Sequence, residues 1–139
     1  MAKDFKLVNP YAEGMPMKTL AKAAETVIEA GDMVTLTSGL VTKADHASTS
    51  LAYSPNGAAA GATAVQVLND RDAEFTGTGD DVFAVAQRGA EVDLVMSGTN
   101  QQIDVGSSAT DVFKVSIGTD AGVVDSANNI KVKINKFLY

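Results

Sequence analysis

Thr26-Val27-Ile28-Glu29-Ala30-Gly31-Asp32-Met33-Val34-Thr35-Leu36, with Gly39-Leu40-Val41-Thr42-Lys43-Ala44 behind it, decides how the rest of the chain is read. Apolar and β-branched residues come in short runs, and each run is stopped by a glycine turn. Such punctuation marks strands and tight connections. Working outward, the same idiom gives candidate strands at 33–36, 40–43, 63–68, 82–87, 91–96, 112–117, 123–125 and 130–137. The last alternates: Ile130, Val132 and Ile134 face one way while Lys131, Lys133 and Asn135 face the other, as a half-buried strand requires.

Residues 18–30 carry two readings. Leu20, Ala23, Ala24, Val27 and Ile28 recur at helical spacing, with Lys22 and Glu25 as an i,i+3 pair and Gly31 placed as a C-cap, which makes one short helix. Thr26-Val27-Ile28 running into Glu29-Ala30-Gly31-Asp32 reads equally well as a strand and its turn. Residues 44–61, around Ser54-Pro55-Asn56-Gly57, and 69–81 are expected as surface loops. Pro10, Gly14 and Pro16 keep the first residues from regular pairing, so 1–18 is expected as an extended N-terminal arm and 19–139 as a single domain.

The composition sets outer limits. A chain of 139 residues fits one domain able to bury roughly two-thirds of its unfolded surface. With no cysteine there are no disulfides and no thiolate chemistry, and stability must come from packing. Aromatic residues make up 6% of the chain, so the core is expected to be built from small, branched side chains. A net charge of -6 opposes steering toward nucleic acid or anionic lipid, and no segment approaches the ~20 apolar residues of a membrane span. The reading is a chain made and kept soluble in the cytoplasm, with neither nucleic acid nor membrane as partner.

A second stretch echoes the opening one. Ile103-Asp104-Val105-Gly106, Val112-Phe113-Lys114-Val115 and Gly122-Val123-Val124-Asp125-Ser126-Ala127 repeat its order of branched residue, step, glycine turn, strand, turn and returning strand. Two such units predict a barrel or clip built on a pseudo-repeat. These segments, together with Val82-Phe83-Ala84-Val85-Ala86-Gln87-Arg88-Gly89, resemble the head decoration, or cement, proteins of tailed bacteriophages over about residues 26–134. The resemblance implies an all-β, small barrel-like domain of β-tulip or β-clip type that binds the outer surface of the expanded capsid as a homotrimer. It would bridge neighbouring subunits of the major capsid protein and live on the virion. Multivalent attachment would let moderate contacts suffice. Two rivals are a tail-tube or baseplate subunit, and a β-clip domain of carbohydrate-processing enzymes, which the turn Ile28-Glu29-Ala30-Gly31-Asp32 also resembles.

The search for chemistry returns little. His46 is the only histidine, beside Asp45 and Ser48 in a loop, and no nucleophile elbow exists. Asp70, Asp72, Glu74 and Asp81 fall at calcium-loop spacing, but Phe75 stands where the loop needs glycine, so an ordinary acidic loop is the better reading. Gly77-Thr78-Gly79-Asp80-Asp81 lacks the lysine of a phosphate loop and sets carboxylates where phosphate would lie. A structural protein without catalysis, metal or cofactor is expected. Its contacts with the capsid or a sister subunit are assigned to the apolar arm residues Phe5, Leu7, Tyr11, Met15 and Met17 and to the terminal Phe137, Leu138 and Tyr139.

Overall fold

The computed structural model describes residues 4–8 and 17–139. Strand accounts for 44% and helix for 2%, so the chain is all-β. In chain order the strands are β1 (Lys6–Leu7), β2 (Met17–Ala21), β3 (Asp32–Thr37), β4 (Leu40–Lys43), β5 (Ala52–Ser54), β6 (Ala64–Leu68), β7 (Phe75–Gly77), β8 (Glu91–Ser97), β9 (Asn100–Asp104), β10 (Phe113–Val115) and β11 (Ile130–Ile134), with one turn of 3-10 helix at Val85–Gln87. They form two antiparallel sheets, a six-stranded one ordered β1-β7-β11-β10-β8-β9 and a five-stranded one ordered β2-β6-β5-β3-β4.

The all-β expectation holds, although neither sheet is a closed barrel. Each curls far enough for one bridge to reach its far strand. Beyond β7, Gly79 bridges Ile103 of β9, with the Ile103 N–H donating to the Thr78 carbonyl at 2.8 Å. Beyond β2, Lys22 bridges Val41 of β4, and the Ala23 N–H donates to the Val41 carbonyl at 3.1 Å.

Period-two alternation explains which side chains meet. In β3 and β5, Met33 and Tyr53 face a large core shared by the two sheets, while Val34 and Ala52 face a smaller one with Ile28, Val41, Val65 and Val67. At β3 and β5 the five-stranded sheet thus packs apolar side chains on both faces. Phe5, Phe75, Phe83 and Phe113 are all fully buried, so few aromatics still supply the heaviest part of the core, about 2–3 kcal/mol each on transfer from water. The alternation expected of 130–134 is present: Ile130, Val132 and Ile134 are buried and the lysines between them half-buried.

Several local expectations are overturned. Of the two readings of 18–30 the helix is absent: β2 pairs along its whole length with β6 from Met17↔Leu68 to Ala21↔Ala64, and Ile28 makes a single bridge to Ala58 ahead of the turn at Gly31, where φ is 93°. The supposed loop 44–61 contains β5, and the supposed loop 69–81 contains β7; both are central strands and largely buried. Conversely, 82–87 is a single bridge at Phe83 followed by the 3-10 turn, and 123–125 is a single bridge at Val124. The internal echo dissolves with them: β3 and β4 form a hairpin, whereas β10 pairs with β8 and β11 and not with 123–125. The arm also divides, since β1 adds to β7 and only part of 1–18 is described.

Candidate docking surface

The side chains assigned to contacts fall in different places. Phe5 is fully buried against Phe113, with ring centroids 5.2 Å apart, and its carbonyl accepts the Tyr53 hydroxyl at 3.0 Å. It fills this chain's own core, which corrects its assignment to a partner. Gly77 makes the seat: a β-carbon there would lie 2.6 Å from the Phe5 ring. Leu7 is half-buried against the same core. Tyr11 and Met15 lie outside the described residues.

The C-terminal residues are bound to the fold. The Leu51 N–H donates to the Lys136 carbonyl at 2.8 Å and the Leu138 N–H to the Leu51 carbonyl at 3.2 Å. Phe137 packs on the larger core beneath the Arg71 guanidinium, and Leu138 packs on the smaller. Tyr139 stays exposed, with the Lys18 ammonium 4.7 Å from its ring centroid and its carbonyl accepting the Asn69 side-chain amide at 2.6 Å. Met17 and Tyr139 are therefore the described members of the set that a partner can reach.

The most exposed apolar side chains described lie elsewhere. Ile117 is 79% exposed and Val123 67%, and Val82, Val85 and Val124 are exposed too. Backbone bonds draw their segments together: the Phe83 N–H donates to the Ser126 carbonyl at 2.9 Å and the Asp125 N–H to the Phe83 carbonyl at 3.0 Å. The buried Phe83 ring rests on Gly122, where a β-carbon would sit 2.7 Å from it. Ile117 lies over Gly89, whose notional β-carbon would approach its Cγ2 to 3.2 Å. In the sequence these valines and Ile117 read as strand interior. Only the bridges and turns of 82–89 and 117–126 reveal that they face water.

Polar side chains make the platform stiff. Gln101, 1% exposed on β9, accepts the Met33 N–H on Oε1 at 2.8 Å and donates through Nε2 to the carbonyls of Met33 and Ala44 at 2.8 and 3.0 Å. Its own N–H donates to Asp4 at 2.9 Å. Asp93 on β8 accepts the N–H groups of Ala109, Thr110 and Asp111 and the Ser107 hydroxyl, all within 2.9 Å. Burial pushes its carboxyl upward, but these four bonds outweigh that and bring it down to about 2. Asp104, across the β8–β9 ladder from Asp93, moves the other way: burial, then the Asp80 and Asp93 carboxylates, raise it.

The candidates for chemistry are scattered. His46 sits exposed in the turn after β4. Asp70 accepts the Asp72 N–H, Glu74 the Ser116 hydroxyl and Asp81 the Val82 N–H, each at 2.7–2.9 Å. Among the described residues no three His, Cys, Asp or Glu side chains converge as metal ligands, and no helix is long and apolar enough to cross a membrane. No family model, curated protein or solved structure matches the chain.

Proposed function

We propose that this chain is a structural virion protein that binds the outer surface of the expanded phage capsid and bridges neighbouring major capsid protein subunits, acting as a trimer. The observation that carries the reading is the placement of Ile117, Val82, Val85, Val123 and Val124 on water-facing turns of a stiff, two-sheet body. Isolated apolar side chains on a surface need no explanation, but five large exposed ones on two segments held together by backbone hydrogen bonds are what a partner would cover. The body behind it is braced by Gln101 and Asp93, so docking costs little ordering entropy, and many copies on one shell add their contacts by multivalency. The resemblance of residues 26–134 to head decoration proteins points the same way.

The test is co-sedimentation. Purified protein should travel with emptied, expanded heads built from the major capsid protein of the same genome, and not with unexpanded precursors. Equal binding to both, or to neither, overturns the proposal. Hexameric rings in solution would favour a tail-tube or baseplate subunit.

A further inference from the structure

The chain's one Asn-Gly pair, Asn56-Gly57, lies in the turn that follows β5. Such a pair can react with itself. Once hydroxide takes the Gly57 N–H proton, the nitrogen attacks the side-chain carbonyl carbon of Asn56, closing a five-membered imide as the old C–N bond breaks and ammonia leaves with a proton from water. Water then reopens the ring. Cleavage at the side-chain carbonyl carbon leaves aspartate at 56; cleavage at the backbone carbonyl carbon leaves isoaspartate, in which the main chain runs through the side chain and gains one methylene. Glycine favours the closure because the attacking residue carries no side chain.

The fold holds both reacting groups still. The Gly57 N–H donates to the buried Ser54 Oγ at 3.1 Å, and that hydroxyl donates to the Gln66 carbonyl of β6 at 3.4 Å. The amide nitrogen that must leave Asn56 donates to Gln66 Oε1 at 3.1 Å. Gly57 has a φ of 69°, and its Cα is pressed on the turn beside it: a β-carbon there would lie 2.5 Å from the Ile28 oxygen and 2.8 Å from the Ala30 nitrogen. Both flanks are clamped as well. Ile28 and Ala58 exchange backbone bonds at 2.9 and 2.7 Å, and the Gly31 N–H donates to the Ser54 carbonyl at 2.9 Å. Closing the imide requires the Gly57 nitrogen to abandon Ser54 and swing its Cα, which this seat prevents.

We infer that Asn56 is a modification site gated by the Ile28–Ala58 clasp, converting only in molecules whose clasp has opened, and that the isoaspartyl product cannot close it again. Three residues, Pro55, Asn56 and Gly57, span the fixed points Ser54 and Ala58. An added methylene in that span dislodges Gly57 or parts the clasp. A transient local opening is thereby written into the chain as a covalent mark carrying one more negative charge.

The test ages the whole chain in mildly alkaline buffer beside a free peptide of residues 52–60, with conversion at Asn56 and its isoaspartate read by peptide mapping and mass. The folded chain should convert slower than the peptide by roughly tenfold or more, since only the open fraction reacts. Ser54→Ala, with an unchanged circular dichroism spectrum, should convert faster than the native chain, and Asn56→Ser should not convert in this peptide at all. The isoaspartyl form, separated by ion exchange, should lose hydrogen-exchange protection at the Ile28 and Ala58 amides while keeping it at β11. A folded chain that converts as fast as the peptide, a Ser54→Ala rate no higher than the native one, or an isoaspartyl form whose Ile28 and Ala58 amides stay protected would each overturn the inference.

Discussion

The side-chain amide of Gln101 bonds both the N–H and the carbonyl of Met33, 68 positions away in sequence, so a primary amide on one sheet extends the backbone ladder of the other. β4 ends at Lys43, and the Ala44 N–H still reaches the Met33 carbonyl at 3.1 Å. From there Gln101 completes the pairing and takes the Ala44 carbonyl as well. Gln101→Ala should leave one N–H and part of two carbonyls buried without partners, costing about 2–3 kcal/mol in urea denaturation. Gln101→Glu should cost at least as much, because a carboxylate would then face the two carbonyls. A loss below about 0.5 kcal/mol for both would mean that water replaces the amide.

Acid should loosen the 107–111 loop through Asp93. Its carboxyl titrates at about 2 in the folded chain against a usual 3.8, so its contribution is whole above pH 4 and lost as the pH falls toward 2. The shift corresponds to about 2 kcal/mol. Urea midpoints from pH 6 to pH 2 should fall in the native chain and fall less in Asp93→Asn, which is already weaker at pH 6.

Asp104 predicts the opposite sign. Its raised carboxyl means that ionising it costs stability, a cost absent in acid and complete above its folded value. Asp104→Asn should therefore raise the urea midpoint at pH 7 and lose that advantage by pH 3. An advantage that persists in acid would point to packing in place of charge.

The arm's first residues should prove structural. Phe5→Ala empties a fully buried ring site and is expected to cost about 3–4 kcal/mol. Gly77→Ala displaces the same ring, so the two changes should be strongly non-additive, with the glycine substitution costing much less once Phe5 is gone. Additive effects would place the strain elsewhere.

The exposed patch should be separable from the fold. Ile117→Ser together with Val123→Ser is expected to change stability by less than about 0.5 kcal/mol, since both side chains face water, while removing co-sedimentation with expanded heads. Retained co-sedimentation would move the docking face away from this surface.

What the sequence disclosed, and what it hid, follows from where the signal resides. Ile130, Val132 and Ile134 alternate with polar neighbours because one face of β11 is buried, and that strand was plain to read. β5 was missed because Ala52-Tyr53-Ser54 is short, sits among Ser, Pro, Asn and Gly, and is buried on both faces, which erases the polar beat. β7 hid in the same way behind an acidic run and Gly77, a residue kept for the Phe5 ring. Val82, Val85 and Val123 misled in reverse: β-branching announced strands where the chain makes turns whose apolar side chains face outward. Gln101 and Asp93 gave no local sign at all, because their partners lie on other elements.

The single bridges at Gly79 and Lys22 have one more consequence. A strand whose flank is open can template strand-by-strand coalescence with its neighbours, and that hazard rises steeply with crowding. Here the chain's own backbone occupies the flanks of β9 at Ile103 and β4 at Val41, and the buried Lys22 ammonium ties down the carbonyls of Ala23 and Ala62 beside the second. At Ile103 and Val41 the place that a neighbouring molecule's strand would otherwise take is thus already filled from within.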